Sequence, residues 1–326
     1  MKVAVAGVGH YHATYPPFYL ELLKKHGVEI VGLADPDLAV AEAIAARFGG
    51  TPYVDFRTMV EEREPDLLLG LGRHIDMPPV VEYAVEQGVP LLMEKPWGTD
   101  PATVNRIAQT AEESGAWVMA PFSMRYSLWA QRCRDLVQAG NLGRVSHVRF
   151  RMVRPGVQRY IDQGCEWMLR KAEAGGGVLL NLGVHGMDLC RYITGEEPVV
   201  VSAVTSNAVF GLDVEDYAHV ILQTPLGVLF HVEAGYTFPL DGGQDDERVL
   251  YAERAMLREV ATGLEVVTSD GSTVERTPRD FVGSWEGVIV DCIERLEHGA
   301  PPPNQPSDLA RAVSLVFDAY RLAGTL

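Results

Sequence analysis

Glu94-Lys95-Pro96 closes an apolar run, Val89-Pro90-Leu91-Leu92-Met93, that reads as a buried strand. An ammonium group at the end of a buried strand is costly unless something pairs with it. Lys95 is therefore a candidate for chemistry. Taken alone, the segment fits a strand-to-helix turn with a surface lysine equally well. A second set lies far along the chain. Gly175-Gly176-Gly177 opens a run in which Asn181, His185 and Asp188 stand at i, i+4 and i+7. They share one face of an otherwise apolar helix, as if that face lined a cavity. A core histidine satisfied by Asn181 or Asp188 is the competing reading.

The N-terminus supplies a third set. Lys2-Val3-Ala4-Val5-Ala6 runs into Gly7-Val8-Gly9, then a helical stretch over 17–26, then a second strand over 28–34 closed by Asp35. Strand, glycines, helix, strand and acid in this order make a dinucleotide-binding unit. Gly7 permits the tight turn, and Gly9 lets the backbone approach a pyrophosphate. The helix N-terminus offers free N–H groups to the phosphates. Asp35 accepts hydrogen bonds from a ribose diol and repels a 2′-phosphate, so NAD is favoured over NADP. His12 stands where the motif G-x-G-x-x-G has its third glycine, so the helix is expected to start late; Tyr15-Pro16-Pro17 fits that start. An α/β domain with a glycine turn and no nucleotide remains the alternative. Gly72, Arg73 and His74 follow a strand over 66–71, at the carboxyl end where such sheets bind ligands; an exposed loop fits them equally.

Together these segments resemble the glucose-fructose oxidoreductase / inositol dehydrogenase / rhizopine-catabolism (Gfo/Idh/MocA) family of oxidoreductases. The resemblance runs over nearly the whole chain. It takes in the glycine turn, Glu94-Lys95-Pro96, and Gly175-Gly176-Gly177 leading to Asn181 and His185. Phe122-Ser123-Met124-Arg125-Tyr126 and the turn Gly299-Ala300-Pro301-Pro302-Pro303 before a last helix also belong to it. It implies that Lys95 hydrogen-bonds the reacting hydroxyl, with a lysine–proline peptide that is often cis. It implies that His185 takes the hydroxyl proton as hydride leaves the same carbon, a task its ordinary pKa suits. Lys95 would keep His185 neutral and steady a developing alkoxide. Many family members carry Asp where this chain has Asn181, which can orient a hydroxyl but cannot hold charge or relay a proton. Asp188 would orient the imidazole or contact substrate. The expected catalytic residues are thus Lys95, His185 and Asn181. The expected cofactor set is Gly7, Gly9, His10, His12, Asp35, Gly72, His74, Glu94 and Lys95. Arg125 and Tyr126 at the domain hinge, and Tyr160 and Trp167 where the family's substrate loop runs, join Asn181, His185 and Asp188 as expected substrate contacts. Ordinary packing is the alternative for each of those four.

The elements that must position these groups fall into two domains. Residues 1–122 alternate strand and helix, which implies a Rossmann-type doubly wound parallel sheet. Residues 123–326 read as an α+β domain with a large, mostly antiparallel open sheet. Val145–Val153 alternates apolar and polar, and further strands are expected at 199–204, 217–223, 228–236, 247–253, 255–261 and 264–268. The last helix, 306–323, is expected to pack back on the first domain. An open sheet with one uncovered face calls for a partner, and family members commonly pair these sheets, so a homodimer or homotetramer through this sheet is expected.

Composition excludes several classes. With 28 basic against 44 acidic residues and a formal charge of −16, nucleic acid and anionic membranes are unsuitable partners. No apolar stretch reaches the length of a membrane-spanning helix. The opening apolar run is too short for a signal peptide. Cys133, Cys165, Cys190 and Cys292 are far apart and suggest neither zinc site nor disulfide framework, so the cytoplasm is the expected compartment. The loop over 241–246 is acidic, yet it reads as solvated surface, and no metal is expected. The reading is an NAD-dependent dehydrogenase acting on a hydroxyl of a sugar, polyol or inositol-like alcohol. A redox-assisted glycosidase that retains its NAD, and a non-catalytic sugar or NAD sensor, stand as alternatives.

Overall fold

The computed structural model describes residues 1–15, 18–240, 242–277 and 281–325. The chain forms two compact units. The first comprises Met1–Pro121, Tyr160–Gly175 and Trp285–Ala310; the second comprises Phe122–Arg159, Gly176–Ser284 and Arg311–Leu326.

The first unit is built on six parallel strands: β1 (Lys2–Ala6), β2 (Glu29–Ala34), β3 (Thr51–Tyr53), β4 (Leu67–Gly70), β5 (Leu91–Met93) and β6 (Val118–Met119). Their order is β3-β2-β1-β4-β5-β6, the doubly wound arrangement that follows from short strands alternating with helices. Val3, Ala4 and Val5 of β1 and Leu67, Leu68 and Leu69 of β4 are buried on both faces, which explains their unbroken apolar runs. Helices Leu38–Phe48, Phe56–Arg63 and Pro101–Ser114 begin at Asp37, Asp55 and Asp100, whose carboxylates accept from backbone N–H groups of the first turn. The region after the glycine turn differs from expectation. A four-residue helix, Tyr11–Thr14, starts at once, capped by the His10 ring accepting from the His12 N–H, and a second helix covers Tyr19–Lys25. Pro16 and Pro17, on which the late start rested, lie outside the described residues.

The second unit carries eight strands: β7 (Val145–Val153), β8 (Val199–Ser206), β9 (Tyr217–Gln223), β10 (Leu229–Gly235), β11 (Asp245–Ala252), β12 (Met256–Val260), β13 (Gly263–Thr268) and β14 (Gly271–Arg276). The order is β14-β13-β12-β11-β7-β10-β9-β8. Among the described residues of this sheet, only β7 and β10 pair in parallel. One face is apolar, with Val148, Phe150 and Met152 of β7 and Phe230, Val232 and Ala234 of β10 buried. Helix Val184–Thr194 lies on that face, where Gly186 approaches Phe150 and Val232. The other face presents His147, Arg149 and Arg151 beside His219, His231 and Glu247. Strand β14 was not expected. All of its residues are exposed, so its sequence carries no alternation of buried and open positions.

Two segments differ from the expected domains. Tyr160–Gly175 groups with the first unit although it lies within 123–326. The last helix, Pro306–Ala323, was expected on the first domain, yet from Arg311 onward it groups with the second. There the Tyr320 hydroxyl donates to the buried Glu215 carboxylate at 2.7 Å.

Leu69 sits in β4 between β1 and β5 with no exposed surface. Leu69→Ala is expected to cost about 2–5 kcal/mol of stability by loss of burial and creation of a cavity. Urea unfolding of both chains measures this; a loss under about 1 kcal/mol would mean the sheet centre repacks freely.

Candidate functional site

The carboxyl ends of β1, β2 and β4 open onto a cavity of about 800 Å³. Gly7, Val8, Gly9 and His10 form one wall, and Leu71, Gly72 and Arg73 another. Val40, Ile44, Val54 and Phe56 make an apolar recess beside Asp35. Gly7 has φ +76°, and a Cβ there would stand 2.7 Å from the Gly72 nitrogen, so no side chain fits at this turn. Asp35 is fixed by accepting from the Gly9 N–H at 2.7 Å and the Asp37 N–H at 3.1 Å. A glycine turn against a helix start, an apolar slot and a carboxylate at its edge suit the pyrophosphate, adenine and ribose diol of a dinucleotide.

Trp167, expected to touch substrate, lines this cavity too. Its ring centroid lies 5.8 Å from that of His10 and 4.9 Å from that of His74. Tyr160 is fully buried and packs edge-on against Tyr11. His74 donates from Nδ1 to the Ala174 carbonyl at 2.7 Å. Burial, with a smaller contribution from Lys95, lowers its pKa to about 3, so the ring is neutral and its Nε2 is an acceptor. Burial and the neighbouring His12 likewise hold His10 well below its ordinary value.

Glu94 and Lys95 follow β5 and are 1% and 4% exposed, so the strand end carries two buried charged side chains rather than a surface lysine. The Lys95–Pro96 peptide is cis. Burial lowers the Lys95 ammonium to about 8, while Glu94 acts in the opposite direction. For Glu94, burial pushes the pKa up, but the His12 ring and its hydrogen bond, together with Lys95, outweigh it and hold the carboxyl below the usual carboxylate range. Glu94 Oε1 accepts from His12 Nδ1 and from the Tyr19 hydroxyl, each at 2.8 Å, and Oε2 accepts from the Lys95 N–H at 3.1 Å.

In the second unit, Asn181, His185 and Asp188 are all buried. They do not lie on one regular α-helix. Leu179–Gly183 forms a wider π-helical turn, and the α-helix proper runs over Val184–Thr194. The Asn181 amide donates to the Tyr236 hydroxyl at 2.9 Å. Asp188 forms a two-pronged ion pair with Arg125, at 2.9 Å to Nε and 2.5 Å to Nη2. These two expected substrate contacts are therefore engaged with each other. Tyr126 lines a separate cavity of about 260 Å³ with Met124, Arg248 and Ser284. Of the acidic run over 241–246, read as a solvated loop, Asp245 and Asp246 instead begin β11 and pair with Arg151 and Arg154, Asp246 with its side chain buried, and Asp241 lies outside the described residues.

The family description "Oxidoreductase family, NAD-binding Rossmann fold" matches residues 1–122, and "GFO/IDH/MocA C-terminal domain" matches 130–258. The chain belongs to the GFO/IDH/MocA oxidoreductase family. It is 29% identical to myo-inositol dehydrogenase Hyg17 of Streptomyces leeuwenhoekii over 88% of this chain and 83% of the relative. It is 26% identical to the D-glucoside 3-dehydrogenase of Escherichia coli K12 over 60% of this chain. The match spans only 54% of that relative's length. In structure it is similar to an oxidoreductase from Agrobacterium radiobacter solved with NAD⁺, L-tartaric acid and magnesium, with a TM-score of 0.85 at 19% identity, covering 99% and 96% of the two chains.

In this family member, sequence reasoning missed Glu215 and Tyr320. Glu215 accepts from the N–H groups of Gly177 and Leu179, each at 2.9 Å, and from Tyr320, whose hydroxyl oxygen also receives the Leu180 N–H. A Cβ on Gly177 would stand 2.2 Å from the Glu215 carbonyl oxygen, and one on Gly176 would stand 2.3 Å from the Tyr320 hydroxyl. The glycines thus admit the clamp that starts the segment bearing Asn181 and His185. Only the glycine triplet signals it in the sequence.

The folded His74 titrates at about 3 against an ordinary 6.5. The unfolded chain therefore binds more protons throughout that window, and stability falls as pH drops through it. His74→Asn keeps a donor for Ala174 and removes this titration. Its melting temperature is expected to fall less than that of the unaltered chain between pH 7 and pH 4.5. Equal falls would contradict the assignment.

Proposed function

We propose that this oxidoreductase is an NAD-dependent dehydrogenase acting at a hydroxyl-bearing carbon of a sugar, polyol or inositol-like substrate. The observation that carries this reading is the buried Lys95 just past β5, the strand beside β4, whose end opens onto the glycine-walled cavity of the same unit. NAD, when bound, supplies the hydride acceptor or donor. Gly7, Gly9 and the N–H groups around them suit its pyrophosphate, and Asp35 suits an unphosphorylated ribose diol. Lys95 is assigned to the substrate oxygen, where a desolvated ammonium stabilises developing negative charge more strongly than one in water. His185 is assigned to the hydroxyl proton, taking it in oxidation and returning it in reduction. Asn181, already donating to Tyr236, orients a hydroxyl and carries no charge. The Arg125–Asp188 pair shapes the wall beside His185. The names of the sugar and inositol dehydrogenases to which the chain is similar favour a carbohydrate-like substrate. The polar outer face of the eight-stranded sheet is where we place contact with a second copy of the chain.

Lys95→Ala and His185→Ala are each expected to lower kcat by on the order of 10²–10⁴ while NAD affinity stays close to that of the unaltered protein. Steady-state rates across a sugar and polyol panel, with cofactor titrations followed by tryptophan fluorescence, measure both. Unaltered turnover in either variant would remove that residue from the chemistry. NADP binding as tight as NAD would contradict the role given to Asp35.

A further inference from the structure

We propose that His12, in the place of the third motif glycine, is a positioning residue that works through Glu94: with Tyr19 it holds the buried Glu94 carboxylate charged and in place beside Lys95. The proposal deepens the reading of Lys95 given above and rests on it.

A glycine at this position normally lets the first helix pack closely on the sheet. Here the helix is only Tyr11–Thr14, and the His12 side chain occupies the space between the glycine turn and the end of β5. The ring is caged by aromatic side chains, with centroids 4.1 Å from Tyr11, 4.5 Å from Phe18 and 5.1 Å from Trp285. This cage fixes its direction. An ionised carboxylate only accepts hydrogen bonds, so the His12 Nδ1 facing Glu94 must carry the proton. The Tyr19 hydroxyl reaches the same oxygen, and the Lys95 backbone N–H reaches the other. Three donors converge on a carboxylate that is 1% exposed. Without them, burial would drive it to the neutral acid. A neutral Glu94 would no longer favour the ammonium form of Lys95, which burial already disfavours. The other titratable groups around Glu94 are His10 and His74, both neutral, with Tyr11 and Cys292 beside Tyr19.

The variants are His12→Phe, which keeps a ring and removes the donor, and His12→Asn, which keeps a donor. Tyr19→Phe removes the second donor with little change in packing. Infrared difference spectroscopy of the intact protein at pH 7 reads the carboxylic-acid band of Glu94, assigned by its loss when Glu94→Gln is added to the variant that shows it. His12→Phe is expected to show that band, and the unaltered protein and His12→Asn to lack it. The alkaline limb of the kcat/KM profile is expected to move to lower pH by on the order of one unit in His12→Phe, a tenfold loss of rate above it. If His12→Phe does not fold, Tyr19→Phe must show the same changes at smaller size. The absence of the acid band in whichever of these variants folds would overturn the proposal. Because the band reads Glu94 directly, it judges His12 whatever Lys95→Ala shows about turnover.

Discussion

Two opposite charges buried side by side at the end of β5 constrain the first unit. Taking an ammonium and a carboxylate out of water is expensive, and their attraction offsets that cost only when further hydrogen bonds complete the set. The surroundings of Glu94 and Lys95 read as answers to that requirement. His12 and Tyr19 come from the segment after the glycine turn, so the nucleotide cradle and two of the donors to Glu94 come from one stretch of chain. Trp97, next past the proline, is fully buried and donates from its indole nitrogen to the Met93 carbonyl at 3.0 Å, which fixes the turn out of β5.

The second unit handles its polar residues in a similar way. A single buried carboxylate, Glu215, gathers two backbone N–H groups and the Tyr320 hydroxyl at the start of the π-helical turn. Burial pushes its pKa up, and these donors oppose the push. The wide turn is the kind of irregularity that persists only where its surroundings over-determine it. It delivers Asn181 and then His185 from a well-braced base. Glu94 beside Lys95, and Asn181 ahead of His185, are each held by neighbours that are themselves buried.

Much of this was legible from residue types. Apolar runs alternating with capped helices gave the parallel sheet, and the strict alternation of Val145–Val153 gave β7 to the residue. Gly7, Gly9 and Asp35 announced the cradle because few other residues meet its steric and charge demands. Other features depend on contacts distant in sequence. Nothing in the spacing of 160–175 shows that Trp167 and Ala174 pair with His74. The one-residue widening at 179–183 leaves no mark in a pattern of apolar residues that would suit an unbroken α-helix. Arg125 and Asp188 looked like substrate contacts because each is polar in apolar surroundings, and the same burial is what makes them pair. His12 read as a defect in a motif because the motif describes phosphate binding, whereas its partner is a carboxylate on another strand.

The chemistry assigned to the first unit requires Lys95 to be held out of water past the strand end. Its titration can be followed by the pH dependence of its acylation rate, with labelled peptides quantified by mass spectrometry. Burial opposed by Glu94 predicts an inflection near 8. An inflection at the ordinary lysine value of 10.5 would show a solvated ammonium and contradict the account.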